Sequence, residues 1–194
     1  MEAKGTPVDR IEIRALRGND EARACAEMMS SSEPWLTLGR TYEQCVKILT
    51  SPTREVYVGV VDGRPAGFAV LIMRGAFVGF IQSLAVAPDL RGRGIGEALM
   101  RFVEDRILRD TPNVFLCVSS FNDGAQRFYR RLGYEVVGEL TDMLVRGHSE
   151  ILMRKSAGPI SEFVHHPCDF LIESTAASQQ QPKHRYVSIW AFQH

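Results

Sequence analysis

Residues 10–16 alternate, with Ile11, Ile13 and Ala15 on one face and Glu12, Arg14 and Leu16 on the other. That period predicts a first strand with one mixed face. Asn19 or Asp20 can cap a helix running to about Ser30. Ser31–Gly39 reads as a loop carrying Trp35, and Thr41 is placed to cap a short second helix, Tyr42–Leu49. The period then changes. Glu55–Val61 is a β-branched run, Asp62-Gly63 is a hairpin turn, Pro65–Met73 is the returning strand and Phe77–Val86 a third. These runs are apolar on both faces, which predicts a sheet covered on both sides.

A glycine- and arginine-rich stretch, Leu90–Gly96, leads into a helix ending near Leu108. Its Ile95, Leu99, Phe102, Val103 and Ile107 form one helical stripe. Asn113–Ser119 is the next strand. Asn122–Leu132 is the next helix, with Asn122 as N-cap, Gly133 just past the end, and Ala125, Phe128, Tyr129 and Leu132 facing inward. Tyr134–Leu140 and Glu150–Arg154 are the last two core strands, joined by a loop. The order β-α-α-β-β-β-α-β-α-β-β predicts an α/β layered domain over residues 1–155. The fourth strand, its helix and the fifth strand form a right-handed crossover under the handedness rule. Residues 156–194 differ in kind, with Pro159, Pro167, Pro182 and the polar stretch Ser174–Gln181. They read as a C-terminal extension, a tail or accessory segment in which Tyr186–Phe192 could form an extra strand.

The 194 residues are 45% hydrophobic, enough for a substantial core. Lys plus Arg (23) balances Asp plus Glu (23). Zero net charge argues against a nucleic-acid partner, whose phosphates demand a basic excess, but leaves room for a local basic patch. No apolar run reaches the roughly 18 residues of a membrane span, and Met1–Arg10 lacks a signal-peptide apolar core. No membrane partner and a cytoplasmic location are therefore expected. Cys25, Cys45, Cys117 and Cys168 form no close pair and read as reduced thiols. His165-His166-Pro167-Cys168-Asp169 lacks a second spaced ligand pair, so no metal is expected.

Arg91-Gly92-Arg93-Gly94-Ile95-Gly96 sits between a strand and a helix. Glycines let successive N–H groups point into one concavity, and a helix start adds unsatisfied donors and the positive end of its dipole. Such a place binds phosphate oxygens, and Arg91 and Arg93 add charge. A Walker-type loop would need Lys and then Ser or Thr where Glu97-Ala98 stand. A dinucleotide fingerprint beginning at Gly92 would need a small residue at Glu97. The turn is an anion cradle of neither kind.

Val86-Ala87-Pro88 followed by Arg91-x-x-Gly94-x-Gly96 resembles the acyl-CoA-binding motif of the GNAT superfamily of N-acetyltransferases, Q/R-x-x-G-x-G/A. Asn122, Ala125, Phe128-Tyr129 and Gly133-Tyr134 match that family's second segment, and Glu150–Lys155 resembles its last strand. The resemblance implies a mixed, mostly antiparallel seven-stranded sheet flanked by helices on both faces. It implies acetyl-CoA as co-substrate, its pantetheine arm lying between splayed fourth and fifth strands. Backbone groups of Leu84, Ala85 and Val86 would pair with the pantetheine amides, helped by a nearby bulge. Arg91, Gly92, Arg93, Gly94, Ile95 and Gly96 would hold the pyrophosphate, with Phe128 beside it. Asn122 would contact the pantetheine or only cap its helix.

The implied reaction is acetyl transfer to a primary amine of a small molecule or peptide by direct attack in a ternary complex. A β4 N–H, of Ala85 or Val86, would polarise the carbonyl. Tyr129 would protonate the leaving thiolate, a phenol near ~10 lying only about 1–2 units from a thiol. The family's usual carboxylates are missing: Cys117 stands five residues before Asn122, and the fourth strand reads Phe80-Ile81-Gln82-Ser83. The candidate bases are Asp142, His148 and Glu150, with Glu150 chosen. Trp35, Tyr42, Gln82 and Asp142 would line the acceptor site together with the Thr141–Glu150 loop. Two alternatives stay open: a protein N-terminal or ribosomal-protein acetyltransferase, and a non-catalytic acyl-CoA-binding module. A homodimer is compatible with each.

Overall fold

The computed structural model describes residues 10–163. Seven strands form one sheet in the order β1-β2-β3-β4-β5-β7-β6. They are β1 (Glu12–Ala15), β2 (Glu55–Val61), β3 (Arg64–Ile72), β4 (Phe80–Val86), β5 (Asn113–Ser119), β6 (Glu135–Val145) and β7 (His148–Ser156). Only β4 and β5 run parallel; the other neighbours are antiparallel. The helices are α1 (Gly18–Ser30), α2 (Tyr42–Leu49), α3 (Ile95–Ile107) and α4 (Asp123–Arg131).

Central β3 explains why both faces are covered. Phe68 and Val70 pack under α1 and α2 with Cys25, Met29, Cys45 and Leu49. Ala69 and Leu71, on the opposite face, pack against Met100, Val103 and Ile107 of α3. The stripe expected on α3 is buried at Ile95, Leu99, Val103 and Ile107, and Met100 joins it. Phe102 instead lies at the edge, its ring 5.1 Å from that of Tyr57.

The turn chemistry holds where it was legible. Asp62 and Gly63 both have positive φ (50° and 75°), as a tight hairpin turn requires. Thr41 and Gln44 form a reciprocal capping box on α2. The α1 start differs from expectation: neither Asn19 nor Asp20 caps it. Glu21, inside the first turn, accepts from the Arg17 N–H at 2.6 Å and is paired with Arg14 at 2.8 Å. β4 begins at Phe80 rather than Phe77, because Gly79 turns the chain at φ +85°.

The largest departure lies between residues 141 and 150. The expected loop is a hairpin, in which β6 runs on to Val145 and β7 starts at His148. Asp142, at φ 53°, sits where the β6–β7 register shifts. β7 also runs on to Ser156. Tyr186–Phe192, the His165–Asp169 run and Cys168 lie outside the described residues.

Candidate active site

The sheet is split between β4 and β5. They pair only at Phe80–Phe115 and Ile81–Leu116. Gln82 is an extra residue on β4, since Ile81 opposes Leu71 while Ser83 opposes Val70. Such a bulge bends its strand and ends regular pairing. Beyond it a cleft of about 1230 Å³ opens, with Gln82–Val86 on one side and Cys117–Ser119 on the other.

Beyond Ile81 the β4 edge facing the cleft has no partner strand, and of its backbone groups the Val86 carbonyl accepts from Arg91. The Ala87 N–H donates to the Ala66 carbonyl at 2.9 Å. Alternation along an antiparallel pair then turns the groups of Ala85 toward Phe68 and those of Leu84 and Val86 into the gap. Of the two expected carbonyl-polarising donors, Ala85 is therefore turned away from the gap and Val86 faces it, as does Leu84.

The glycine-rich turn closes one end of the cleft. Gly92 and Gly94 take positive φ (74° and 87°), and Gly94 is the N-cap of α3 with no side chain capping the helix. The first N–H groups of α3 therefore keep their hydrogen-bonding capacity. Arg91 lines the cleft and donates from Nε to the Val86 carbonyl at 3.2 Å, tying the turn to β4. Arg93 is exposed and is not among the lining side chains. A Cβ at Gly96 would meet Val86 at 3.5 Å and Phe128 at 3.6 Å, so the Phe128 ring of α4 lies close to the start of α3.

Tyr129 comes from α4, which is fixed at both ends. Asn122 Oδ1 accepts from the Ala125 N–H at 3.1 Å. At the C-terminus Gly133 donates to Arg130 at 3.0 Å and Tyr134 to Tyr129 at 3.1 Å, with Gly133 at φ +89°. That is the paired bonding of a Schellman ending. Asn122, Phe128 and Tyr129 all line the cleft. Burial raises the Tyr129 phenol above the usual tyrosine range. Its mismatch to a thiol is therefore wider than the sequence suggested, which suits a hydrogen-bond donor better than a full proton donor.

Glu150 is 3% exposed yet lines the cleft. It stands opposite Ser119 in the β5–β7 register, and its Oε1 accepts from Ser119 Oγ at 2.7 Å. Oε2 takes no donor among the described residues. Burial raises the carboxyl above the usual range, while the Ser119 hydrogen bond and His148 oppose that rise. Gln126 of α4 supports the pair, its Nε2 donating to the Ser120 carbonyl at 3.0 Å and the Ser119 carbonyl at 3.4 Å. Cys117 lies on the same strand face as Ser119. Its thiol is pushed up to about 11, mainly by burial, so it stays protonated at neutral pH.

Where the sequence places the acceptor, the cleft is lined by Glu33, Trp35, Leu38 and Arg40 from the α1–α2 loop, Gln82 from β4, and Met143 and Leu144 from the β6–β7 hairpin. Two expected residues are not there. Tyr42 packs against the core beneath α1 and α2. Asp142 is exposed and accepts from the Gly147 N–H at 2.6 Å, shaping the hairpin instead of lining the cleft. Ser119 and Arg40 escaped the sequence reading, whereas Met143 and Leu144 fall in the Thr141–Glu150 segment expected to line the acceptor. The alternation Cys117-Val118-Ser119 was the one signal available, since it sets Ser119 on the cysteine's face.

Among the described residues no helix is long and apolar enough to cross a membrane. The family model described as the acetyltransferase (GNAT) family matches residues 19–134. The chain is 40% identical over 123 residues to the peptidyl-lysine N-acetyltransferase YiaC of Escherichia coli, covering 60% of this chain and 79% of that protein. It is 38% identical over 86 residues to an uncharacterized N-acetyltransferase of Methanocaldococcus jannaschii, covering 41% of this chain and 38% of that protein. Its fold is similar to an aminoglycoside 6′-N-acetyltransferase complexed with coenzyme A. That match has a TM-score of 0.64 and 18% identity, covering 76% of this chain and 98% of the other.

Proposed function

The chain belongs to the GNAT family of acetyltransferases, and we propose that it transfers an acetyl group from acetyl-CoA to a primary amine of a small molecule or peptide. The open β4 edge and the uncapped start of α3 suit the two polar parts of the coenzyme. Leu84 offers its N–H and carbonyl and Val86 its N–H to the pantetheine amides, and Gly92, Gly94, Ile95 and Gly96 offer N–H groups to the diphosphate.

The observation that carries the reading is Glu150: a buried carboxylate in the cleft with one oxygen held by Ser119 and the other free of protein donors. An alkylamine is mostly protonated at neutral pH and must lose a proton to attack. Glu150 Oε2 receives it. The amine nitrogen then bonds to the thioester carbonyl carbon, the C–S bond breaks, and the second proton that the nitrogen sheds on becoming an amide is taken up by the departing sulfur, so that CoA leaves as the thiol. An N–H of Leu84 or Val86 stabilises the oxyanion, and the Tyr129 hydroxyl donates a hydrogen bond to the departing sulfur. Glu150 supplies from β7 the carboxylate that Cys117 and Gln82 fail to supply from β5 and β4, which disfavours a non-catalytic binding module.

A panel of amines and peptides incubated with acetyl-CoA, read by mass spectrometry of the products, tests this. Acetylated amine in amounts that depend on Glu150 is expected. Tight acetyl-CoA binding with no product above background would overturn the reading in favour of the module.

A further inference from the structure

The acceptor end holds two hydrogen-bond donors that the chemistry above leaves unused. The first is Gln82. Arg54 Nε donates to Gln82 Oε1 at 2.5 Å, and Arg54 is itself held by Ser51 Oγ at 3.1 Å. A guanidinium can only donate, so the Gln82 oxygen must face Arg54. The amide nitrogen is thereby the end left for the cleft, and it finds no acceptor among the described residues. Held this way, Gln82 presents its amide N–H to the cleft as a donor for an oxygen.

The second donor is Arg40. Its backbone N–H closes the loop onto the Trp35 carbonyl at 2.9 Å, and its side chain, half-buried, lines the cleft. It forms no ion pair or hydrogen bond with a side chain among the described residues. Glu33, in the same loop, also lines the cleft, but it is exposed, forms no ion pair with Arg40, and its Oε2 accepts from the Thr37 N–H at 3.2 Å. A half-buried guanidinium without a counter-charge is unfavourable until a planar anion meets it, and a carboxylate fits it in two-point fashion.

We infer that the acceptor is an amino-carboxylate, its amine directed to Glu150 and its carboxylate received by Arg40 and the Gln82 amide. This deepens the proposed function and rests on it. The walls between these polar groups are apolar (Trp35, Leu38, Met143 and Leu144), so the remainder of the acceptor is an apolar or aromatic side chain. The same free guanidinium repels polyamines and other polycations. Arg54 is a positioning residue: it touches no acceptor and acts by setting the Gln82 amide.

Matched pairs that differ only in the carboxylate test the idea: tryptophan against tryptamine, phenylalanine against phenethylamine, and leucine against isoamylamine. Calorimetry on the protein–CoA complex gives binding, and thiol release from acetyl-CoA gives turnover. The amino acid of at least one pair is expected to bind about 10- to 100-fold tighter than its amine, the range of one charge-assisted contact. Arg40→Met collapses that ratio and Arg40→Lys restores part of it, with the change in KM rather than kcat. CoA affinity serves as the check that each variant is folded. Equal binding across every pair, absence of amino-acid binding, or a ratio that survives Arg40→Met would overturn the inference. Arg40-dependent binding with no acetylation would leave the inference standing and overturn the proposed reaction instead.

Discussion

The two ends of the cleft are built from different materials. At the coenzyme end the groups on offer are main-chain: the free edge of β4 at Leu84 and Val86, and the uncapped N–H groups where α3 begins. At the acceptor end they are side chains from segments far apart in sequence: Trp35 and Arg40 before α2, Gln82 in β4, Met143 and Leu144 in the hairpin, and Glu150 in β7. A backbone site needs only that the chain take a given path, which glycine spacing enforces. A side-chain site needs each residue type and also the packing that aims it. The first tolerates change in most side chains and serves one ligand; the second can be re-specified residue by residue.

The sharpest way to separate the two ends is Glu150→Gln. The shape and the Ser119 bond are kept, because an amide oxygen still accepts, but the proton acceptor is gone. Turnover is expected to fall by about 10²–10⁴-fold, the usual range for a general base, with CoA affinity held. A pH series sharpens this. Since burial raises the Glu150 carboxyl, the wild-type rate drops as pH falls through that raised pKa, and the variant lacks this limb. The sign for stability is the reverse. A carboxyl whose pKa is raised on folding favours the folded state when protonated, and that contribution is lost as pH rises through the folded value. At neutral pH the variant should therefore melt above the wild type, with the gap closing in acid. A melting temperature equal at every pH would show that Glu150 is not desolvated.

Gly94→Glu breaks the opposite end. A Cβ there meets no protein atom within 4 Å, so the damage comes from the left-handed φ of +87° and from the added negative charge, not from a clash within the protein. About a 10²-fold loss in CoA affinity is expected by calorimetry, with Gly94→Ala isolating the strain as a smaller share. Unchanged affinity would contradict the main-chain cradle. Tyr129→Phe should have the smallest effect, about 10-fold on kcat with little change in KM for acetyl-CoA. A phenol that acts only as a hydrogen-bond donor predicts this small loss; a loss as large as that of Glu150→Gln would mean that the phenol ionises during the reaction.

Legibility in the sequence follows the same division. β2 and β5 start and stop where the β-branched runs do, at Glu55–Val61 and Asn113–Ser119, because their limits are turn residues with strong local chemistry. The coenzyme motif was readable because glycine and N-cap identities report backbone geometry directly. The resemblance implied a bulge near Leu84–Val86, but its place at Gln82 was not readable, since an extra residue is fixed by the pairing with β3 and not by the strand's own sequence. The hairpin at 141–150 was hidden for a related reason: Asp142 carries a positive φ that its sequence context does not announce. Nor was the bond between Ser119 and Glu150 visible, because it depends on the β5–β7 register, a pairing between segments 31 positions apart. Nothing in the sequence around Arg40 marks it for the cleft; the path of the α1–α2 loop puts it there.

The two residue pairs that join β4 to β5 leave the rest of that seam unstitched. An occupant lying along it would act as an eighth strand, so the protein's cohesion is linked to the supply of its own reagent. Every tenfold excess of ligand over its dissociation constant adds about 1.4 kcal/mol to the folded state. Where the acyl donor is scarce the sheet would open more often along this line, and its abundance would lengthen the life of the polypeptide as well as feed its chemistry.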